Sequence, residues 1–551
     1  MLPTKLLIPI GLTLSSLFAF QGPGTTDHKQ NGATETVVTG SGEVCGIHLT
    51  TAENHSVEAF LGIPYADAER WAAPTPKSPW SETFQASSYG PACPQFVPPI
   101  PGAEFPISED CLSLNIWRPA QGENQDLPVM VFLHGGAYVI GSNRQAVYDG
   151  ANLAGSQDVI VVVPNYRLGS FGFLYGSGAA GNYGLMDQQA ALQWVRDNIA
   201  AFGGDPHNIT LFGESAGAGM VAMHLAGAPS SQALFDRAIL QSNPFPIQPQ
   251  STFQARWITR LFLYSLNCSD LDCARQMPME AIIAAQSNPA LGRPLQFDGF
   301  ASQFIWSPLV DDDLVTREPW SALHEDGSPV PLILGFTRDE GANLVTPYVF
   351  AYGDAQGQIN YPTYVTLLFH FFGRKARAVL HQYPGDPLGD NTAALAQIHT
   401  DYLFRCSARA LAGTLEETYT YVFGEPSSFF VFGGPECFDL ACHGDDLPFT
   451  FQTAANLGVP FSEAQKAVSQ AMQTYWAQFA ANGTPGGIVD DPVLPLWLPF
   501  LDGQTWLQLE TPRAILQAPF TDTCQFWDGI GYDINHYPSL PLKTSIPRTP
   551  W

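Results

Sequence analysis

The sequence predicts an α/β protein built on one large, mostly parallel sheet with helices on both faces. Three observations carry that reading. Short uninterrupted apolar runs stand at residues 129–133 (VMVFL), 159–163 (VIVVV), 209–212 and 332–336, and such runs suit strands buried on both sides. Between two of them, residues 187–202 place Ala191, Leu192, Trp194, Val195, Ile199 and Phe202 at helical spacing, and Gly203-Gly204 supplies the stop. The alternation of strand and helix then continues past residue 500 without a compositional break. Residues 37–551 therefore read as one domain, although the length of 551 residues alone would allow three or four.

Ahead of that domain the chain looks like a targeting segment. Residues 1–5 give a short basic start and residues 6–20 (LLIPIGLTLSSLFAF) an apolar stretch of signal-peptide length. Fifteen residues fall short of the roughly 20 a spanning helix needs. Cleavage is expected near residues 19–21, followed by a polar, mobile leader over residues 21–36. Residues 545–551 carry neither a hydrophobic tail nor a retention signal. The sequence thus predicts a secreted protein without a stable membrane anchor. Sequons at Asn54, Asn208, Asn267 and Asn482 fit that route as glycosylation candidates.

Composition narrows the partners. Hydrophobic residues make up 45% of the chain, enough for a sizeable core, which excludes wholesale disorder. The net charge of −27 repels phosphate backbones and anionic lipid, so nucleic acid is not an expected ligand. Nine cysteines suit an oxidising destination. Proximity suggests the pairs Cys93–Cys111, Cys268–Cys273 and Cys437–Cys442, with isolated Cys45 left free. No C-x-x-C pair and no Cys/His cluster of zinc spacing occurs, so no metal is expected.

Gly213-Glu214-Ser215-Ala216-Gly217 matches G-x-S-x-G. Chance alone gives roughly 0.3 such matches in a chain this rich in glycine and serine, so context must lift it. It does: the apolar run 209–212 precedes the motif, and residues 216–226 (AGAGMVAMHLA) form a small-residue run able to make a helix. A serine on that tight strand-to-helix turn holds its hydroxyl above the sheet.

Residues 181–219 (GNYGLMDQQAALQWVRDNIAAFGGDPHNITLFGESAGAG) resemble the type-B carboxylesterase/lipase family, which includes cholinesterases and fungal extracellular lipases. So do residues 60–74 (FLGIPYADAERWAAP), 108–119 (SEDCLSLNIWRP), 165–174 (NYRLGSFGFL), 330–341 (VPLILGFTRDEG) and 442–451 (CHGDDLPFTF). The resemblance spans nearly the whole mature chain and implies an α/β-hydrolase fold. It also implies a cofactor-independent serine hydrolase acting on small-molecule carboxylic esters.

A serine oxygen needs a neighbouring imidazole to take its proton. His443 stands after the motif in a Cys-His-Gly-Asp-Asp segment, which fits the chain order Ser, acid, His, and the resemblance places the catalytic histidine there. For the acid, Asp339 and Glu340 directly follow the run 332–336, at the strand end where such sites assemble. Chemistry alone leaves Asp339, Asp445 and Asp446 open; the resemblance selects Glu340. Acyl transfer also needs preorganised donors for the developing oxyanion. His134-Gly135-Gly136-Ala137-Tyr138 follows the run 129–133, and the family implies amides from Gly136, Ala137 and Ala216. Many members carry glycine where this chain has Ala137. Because alanine penalises positive φ by roughly 1 kcal/mol, the loop is expected to adopt a conformation that alanine tolerates. His134 reads as a residue bracing that loop.

Four further expectations follow. The resemblance implies that Glu214 lines the floor of the site, either favouring a charged His443 or serving structure alone. Ser242 resembles a serine supporting the triad acid, although Asn243-Pro244 replaces the glycine that usually follows. Arg70 with Glu109 and Arg167 with Asp187 look like buried ion pairs, and resemblance to cholinesterases suggests Cys406–Cys524. Activity should fall in acid as His443 protonates.

The loop closed by Cys93–Cys111 encloses seventeen residues, worth about 3 kcal/mol of chain entropy. It is short and rich in proline, unlike the amphipathic lid of the fungal lipases. It also lacks the tryptophan with which cholinesterases hold a quaternary ammonium. The expected pocket is thus open to soluble or moderately sized esters. An interfacially activated lipase is the enzymatic alternative, and a catalytically silent cholinesterase-like binding protein the alternative of another class.

Overall fold

The computed structural model describes residues 28–97, 105–120, 126–288, 291, 300, 304–427, 431, 434–489, 491–501 and 504–532. Among them, one sheet is built from β1 (Lys29–Thr39), β2 (Gly42–Thr50), β3 (Ser56–Pro64), β4 (Ser113–Pro119), β5 (Leu127–Leu133), β6 (Ile160–Pro164), β7 (Gly204–Glu214), β8 (Arg237–Gln241), β9 (Leu332–Thr337), β10 (Thr418–Phe423), β11 (Thr505–Leu509) and β12 (Ala514–Gln517). Their order is β1-β2-β3-β4-β6-β5-β7-β8-β9-β10-β11-β12, with the short strand Phe84–Gln85 added beside β2. The six pairings from β6 through β11 are parallel. The outer pairings are antiparallel, from β1 to β6 on one side and at β12 on the other.

The apolar runs occupy the parallel centre because each of its faces is covered. Val129, Val131 and Leu133 of β5 join one core with Leu192 and Val195, while Met130 and Phe132 join the opposite core with Met472 and Trp476. Those partners sit on α1 (Tyr183–Asn198) and on the long helix Glu463–Asn482. Fully burying each such side chain contributes about 1.5–3 kcal/mol. Ser462 caps the long helix through a reciprocal box with Gln465, and Gly483 ends it at φ 78°.

Two boundaries differ from the sequence reading. Helix α1 begins at Tyr183, not at Asp187, because Asp187 is fully buried and paired with Arg167 and so does not mark the first turn. Its last turn, Ile199–Phe202, is 3₁₀ and ends at Gly203 with φ 86°. The second difference concerns the mobile leader expected over residues 21–36, of which residues 21–27 lie outside the described residues. From Lys29 the chain pairs with β2 as an edge strand whose first five residues are exposed. An edge strand facing water needs no apolar alternation, which is why its polar sequence reads as a leader. The expected signal segment, residues 1–20, lies outside the described residues.

All four expected disulfides are formed, Cys93–Cys111, Cys268–Cys273, Cys406–Cys524 and Cys437–Cys442, and Cys45 is free. Arg167 and Asp187 make a buried bidentate pair, while Arg70–Glu109 is only half-buried. Among the described residues no helix is long and apolar enough to cross a membrane.

Candidate active site

Ser215 sits on the sharp turn between β7 and helix α2 (Ala216–Leu225), with φ 57° and ψ −125°. Its N–H donates to Gln241 O of the neighbouring strand (3.0 Å), and its carbonyl accepts from Gly219 N (3.0 Å). The flanking glycines answer to space. A Cβ on Gly217 would lie 2.0 Å from Leu133 O, and one on Gly213 would lie 2.6 Å from the Gly217 carbonyl carbon. Only glycine at both positions lets α2 start this close to the sheet.

His443 arrives from the far end of the chain, between the Cys437–Cys442 bridge and the short helix Leu447–Phe451. Its Nε2 lies 2.8 Å from Ser215 Oγ and its Nδ1 2.5 Å from Glu340 Oε2. Glu340 follows β9, fully buried, and its Oε1 accepts from the Thr337 amide at 2.8 Å. The three residues therefore form one chain of hydrogen bonds beyond the carboxyl ends of β7 and β9.

The competing acids are engaged elsewhere. Asp339 clasps the histidine segment, accepting from Ala441 N at 3.0 Å while its own N–H donates to Ala441 O at 2.9 Å. Asp445 accepts from Cys442 N and Ser427 Oγ. Asp446 accepts from Gln241 Nε2 and the Tyr421 hydroxyl, and burial pushes its carboxyl up to about 6. Asn343 steadies the His443 carbonyl (3.1 Å), and the Phe404 ring lies 5.2 Å from the imidazole. Sequence spacing carries no signal for Thr337, Gln241, Tyr421, Asn343 or Phe404, which meet the site only through the fold.

Glu214 is buried with both oxygens lacking a hydrogen-bond partner among the described residues, and its Oε1 lies 3.3 Å from His443 Nε2. Burial pushes its carboxyl up to about 8 against the pull of His443. For His443, burial opposes the charged ring, but the Glu214 and Glu340 carboxylates outweigh it and hold the pKa at about 9. A proton on Glu214 would cancel one of those two charges, so the pair titrates as a unit.

The glycine loop after β5 passes directly against the elbow: a Cβ on Gly135 would meet Glu214 Oε2 at 2.8 Å and Ser215 Cβ at 3.1 Å. Among the described residues the amides of Gly136, Ala137 and Ala216 donate to no other group. The loop places Ala137 in the left-handed region, which alanine enters at a cost of roughly 1 kcal/mol. Ala137 stands at φ 53° and Tyr138 at φ 65°, held in a turn whose Val139 and Ile140 amides both donate to Gly136 O. His134 is buried, kept neutral by burial at a pKa of about 4, and stacked 4.4 Å from Tyr166, which fits a brace.

Two expectations need correction. Ser242 Oγ is buried without a hydrogen-bond partner among the described residues and does not support Glu340, whose second oxygen is already held by Thr337. Asn208 is not a free sequon, because its side chain accepts from Arg237 and donates to Ala481 O, whereas Asn54, Asn267 and Asn482 are exposed. Residues 98–104, which include much of the proline-rich stretch expected to leave the pocket open, lie outside the described residues.

A large mixed sheet carrying a serine on a strand-to-helix elbow, with an imidazole and a carboxyl in line behind it, defines an α/β-hydrolase. The sequence profile of the carboxylesterase family matches residues 33–527, and the chain belongs to that family. It is 34% identical over 473 residues to the para-nitrobenzyl esterase of Bacillus subtilis (strain 168), covering 82% of this chain and 90% of that protein. It is 33% identical over 538 residues to the acetylcholinesterase of Bungarus fasciatus, covering 89% and 86%. A solved PNB esterase superposes with a TM-score of 0.73 at 32% identity, covering 89% of this chain and 99% of that one. The protein is a carboxylic ester hydrolase acting on small-molecule esters.

Proposed function

We propose that this chain is a secreted serine esterase in which Ser215, His443 and Glu340 act as a catalytic triad. Glu340 accepts from His443 Nδ1–H and fixes the tautomer that leaves Nε2 facing the serine. Nε2 takes the hydroxyl proton as Ser215 Oγ attacks the ester carbonyl. The amides of Gly136, Ala137 and Ala216 stabilise the oxyanion, and the imidazolium then protonates the departing alcohol. Water, activated by the same ring, releases the acid from the acyl-enzyme. No step calls for a cofactor.

The observation that carries this reading is the unbroken pair of contacts at 2.8 and 2.5 Å linking Ser215, His443 and Glu340. Secretion rests on the apolar segment at residues 6–20 and on the cysteine content. Glycans are proposed at Asn54, Asn267 and Asn482. The test is Ser215→Ala assayed on a short nitrophenyl ester: hydrolysis falls to background while the far-UV circular dichroism spectrum is unchanged. Retained turnover would refute the triad.

A further inference from the structure

Away from the elbow, the structure holds a cavity of about 490 Å³ lined by Trp320, His324, Lys375, Arg409, Asp528 and Tyr532, among others. Neither Ser215, Glu340, His443 nor Glu214 lines it. Its walls come from the helices Pro319–Asp326, Cys406–Ala412 and Thr521–Ile530, the last two tied together by Cys406–Cys524. The volume falls within the range of small-molecule sites.

Its lining is unusual for this chain. The protein has 24 cationic side chains against 51 acidic ones, yet two cations and one carboxylate line the cavity. That carboxylate is occupied, since Asp528 Oδ2 accepts from Arg409 Nη1 at 2.9 Å and Oδ1 from the Tyr532 hydroxyl at 2.8 Å. Lys375 Nζ donates to the Ile530 carbonyl, which leaves an ammonium with two further donors and no carboxylate bound to it among the described residues. Beside the charges stands an aromatic wall: Trp320 lies 5.1 Å from Tyr532 and is stacked 5.7 Å from His324. A concave site of local positive charge in an acidic protein concentrates anions, and the ring wall selects for an apolar body.

We propose that this cavity binds an amphipathic organic carboxylate, its head on Lys375 and Arg409 and its aromatic or alkyl body against Trp320 and Tyr532. That is the chemical class of the acids an ester hydrolase releases, but the site is separate from the one that makes them, and the inference does not rest on the triad.

The test titrates full-length protein with 2-naphthoate by calorimetry, with the neutral 2-naphthamide as control. Binding of the anion is expected, with weaker binding of the amide and loss of affinity as salt is raised. Lys375→Met should weaken 2-naphthoate at least tenfold without changing kcat/KM for a nitrophenyl ester, and Lys375→Arg should restore most of the affinity. Equal affinity for Lys375→Met and the parent protein would overturn the proposal, as would equal binding of acid and amide, an arginine variant as weak as the methionine one, or no binding to the full chain.

Discussion

Replacing Glu214 by glutamine probes how the site sets its working pH. In the parent protein two carboxylates face the imidazole, Glu340 at Nδ1 and Glu214 at 3.3 Å from Nε2. Both favour the charged ring, and a neutral ring is what the proposed general-base step needs. At about 4 Å and the effective dielectric of a protein, unit charges interact by about 4 kcal/mol, and a neighbouring opposite charge typically moves a pKa by about 1–3. The sign follows. His443 is held above its ordinary value, so activity rises as pH climbs through the ionisation of the pair. Removing the Glu214 charge lowers the His443 pKa and carries the acid limb of kcat/KM about 1–3 pH units toward acid. The assay is kcat/KM for a nitrophenyl ester from pH 5 to 10, with initial rates read by titrating released acid. A limb that stays in place would mean Glu214 is already protonated when His443 acts as base; a limb that moves toward alkali would sink the electrostatic account altogether.

Three other variants test the frame of the site. Glu340→Gln should lower kcat about 10³- to 10⁴-fold with little change in KM, because an amide no longer fixes the imidazole tautomer; steady-state kinetics on a soluble ester reads this directly. Gly217→Ala drives a methyl into the Leu133 carbonyl and should cost about 1–3 kcal/mol, measured by the midpoint of urea unfolding. Asp187→Asn leaves the buried Arg167 guanidinium without its counter-charge and should cost about 3–5 kcal/mol, read in the same assay.

Much of the architecture is legible in the residues themselves. Uninterrupted apolar runs mark the central strands because both faces of the sheet are covered, and Gly213 and Gly217 mark the elbow because no side chain fits there. The edge strand at Lys29–Thr39 is not legible, since it buries too little to impose a period. Nor can local chemistry separate Asp339 from Glu340. They are adjacent on one turn, and only the backbone direction after β9 sends one to the Ala441 amide and the other to His443. Glu214 sits beside Ser215 in sequence, but its bearing on Nε2 depends on a segment more than two hundred residues later.

The backbone at Ser215 has one more consequence. A serine at φ 57° and ψ −125° stores about 1–3 kcal/mol of conformational strain, and it is restrained by the Gln241 carbonyl, the Gly219 amide and the tight start of α2. The hydroxyl is thus cocked by its surroundings, like a latch that springs back once its keeper loosens.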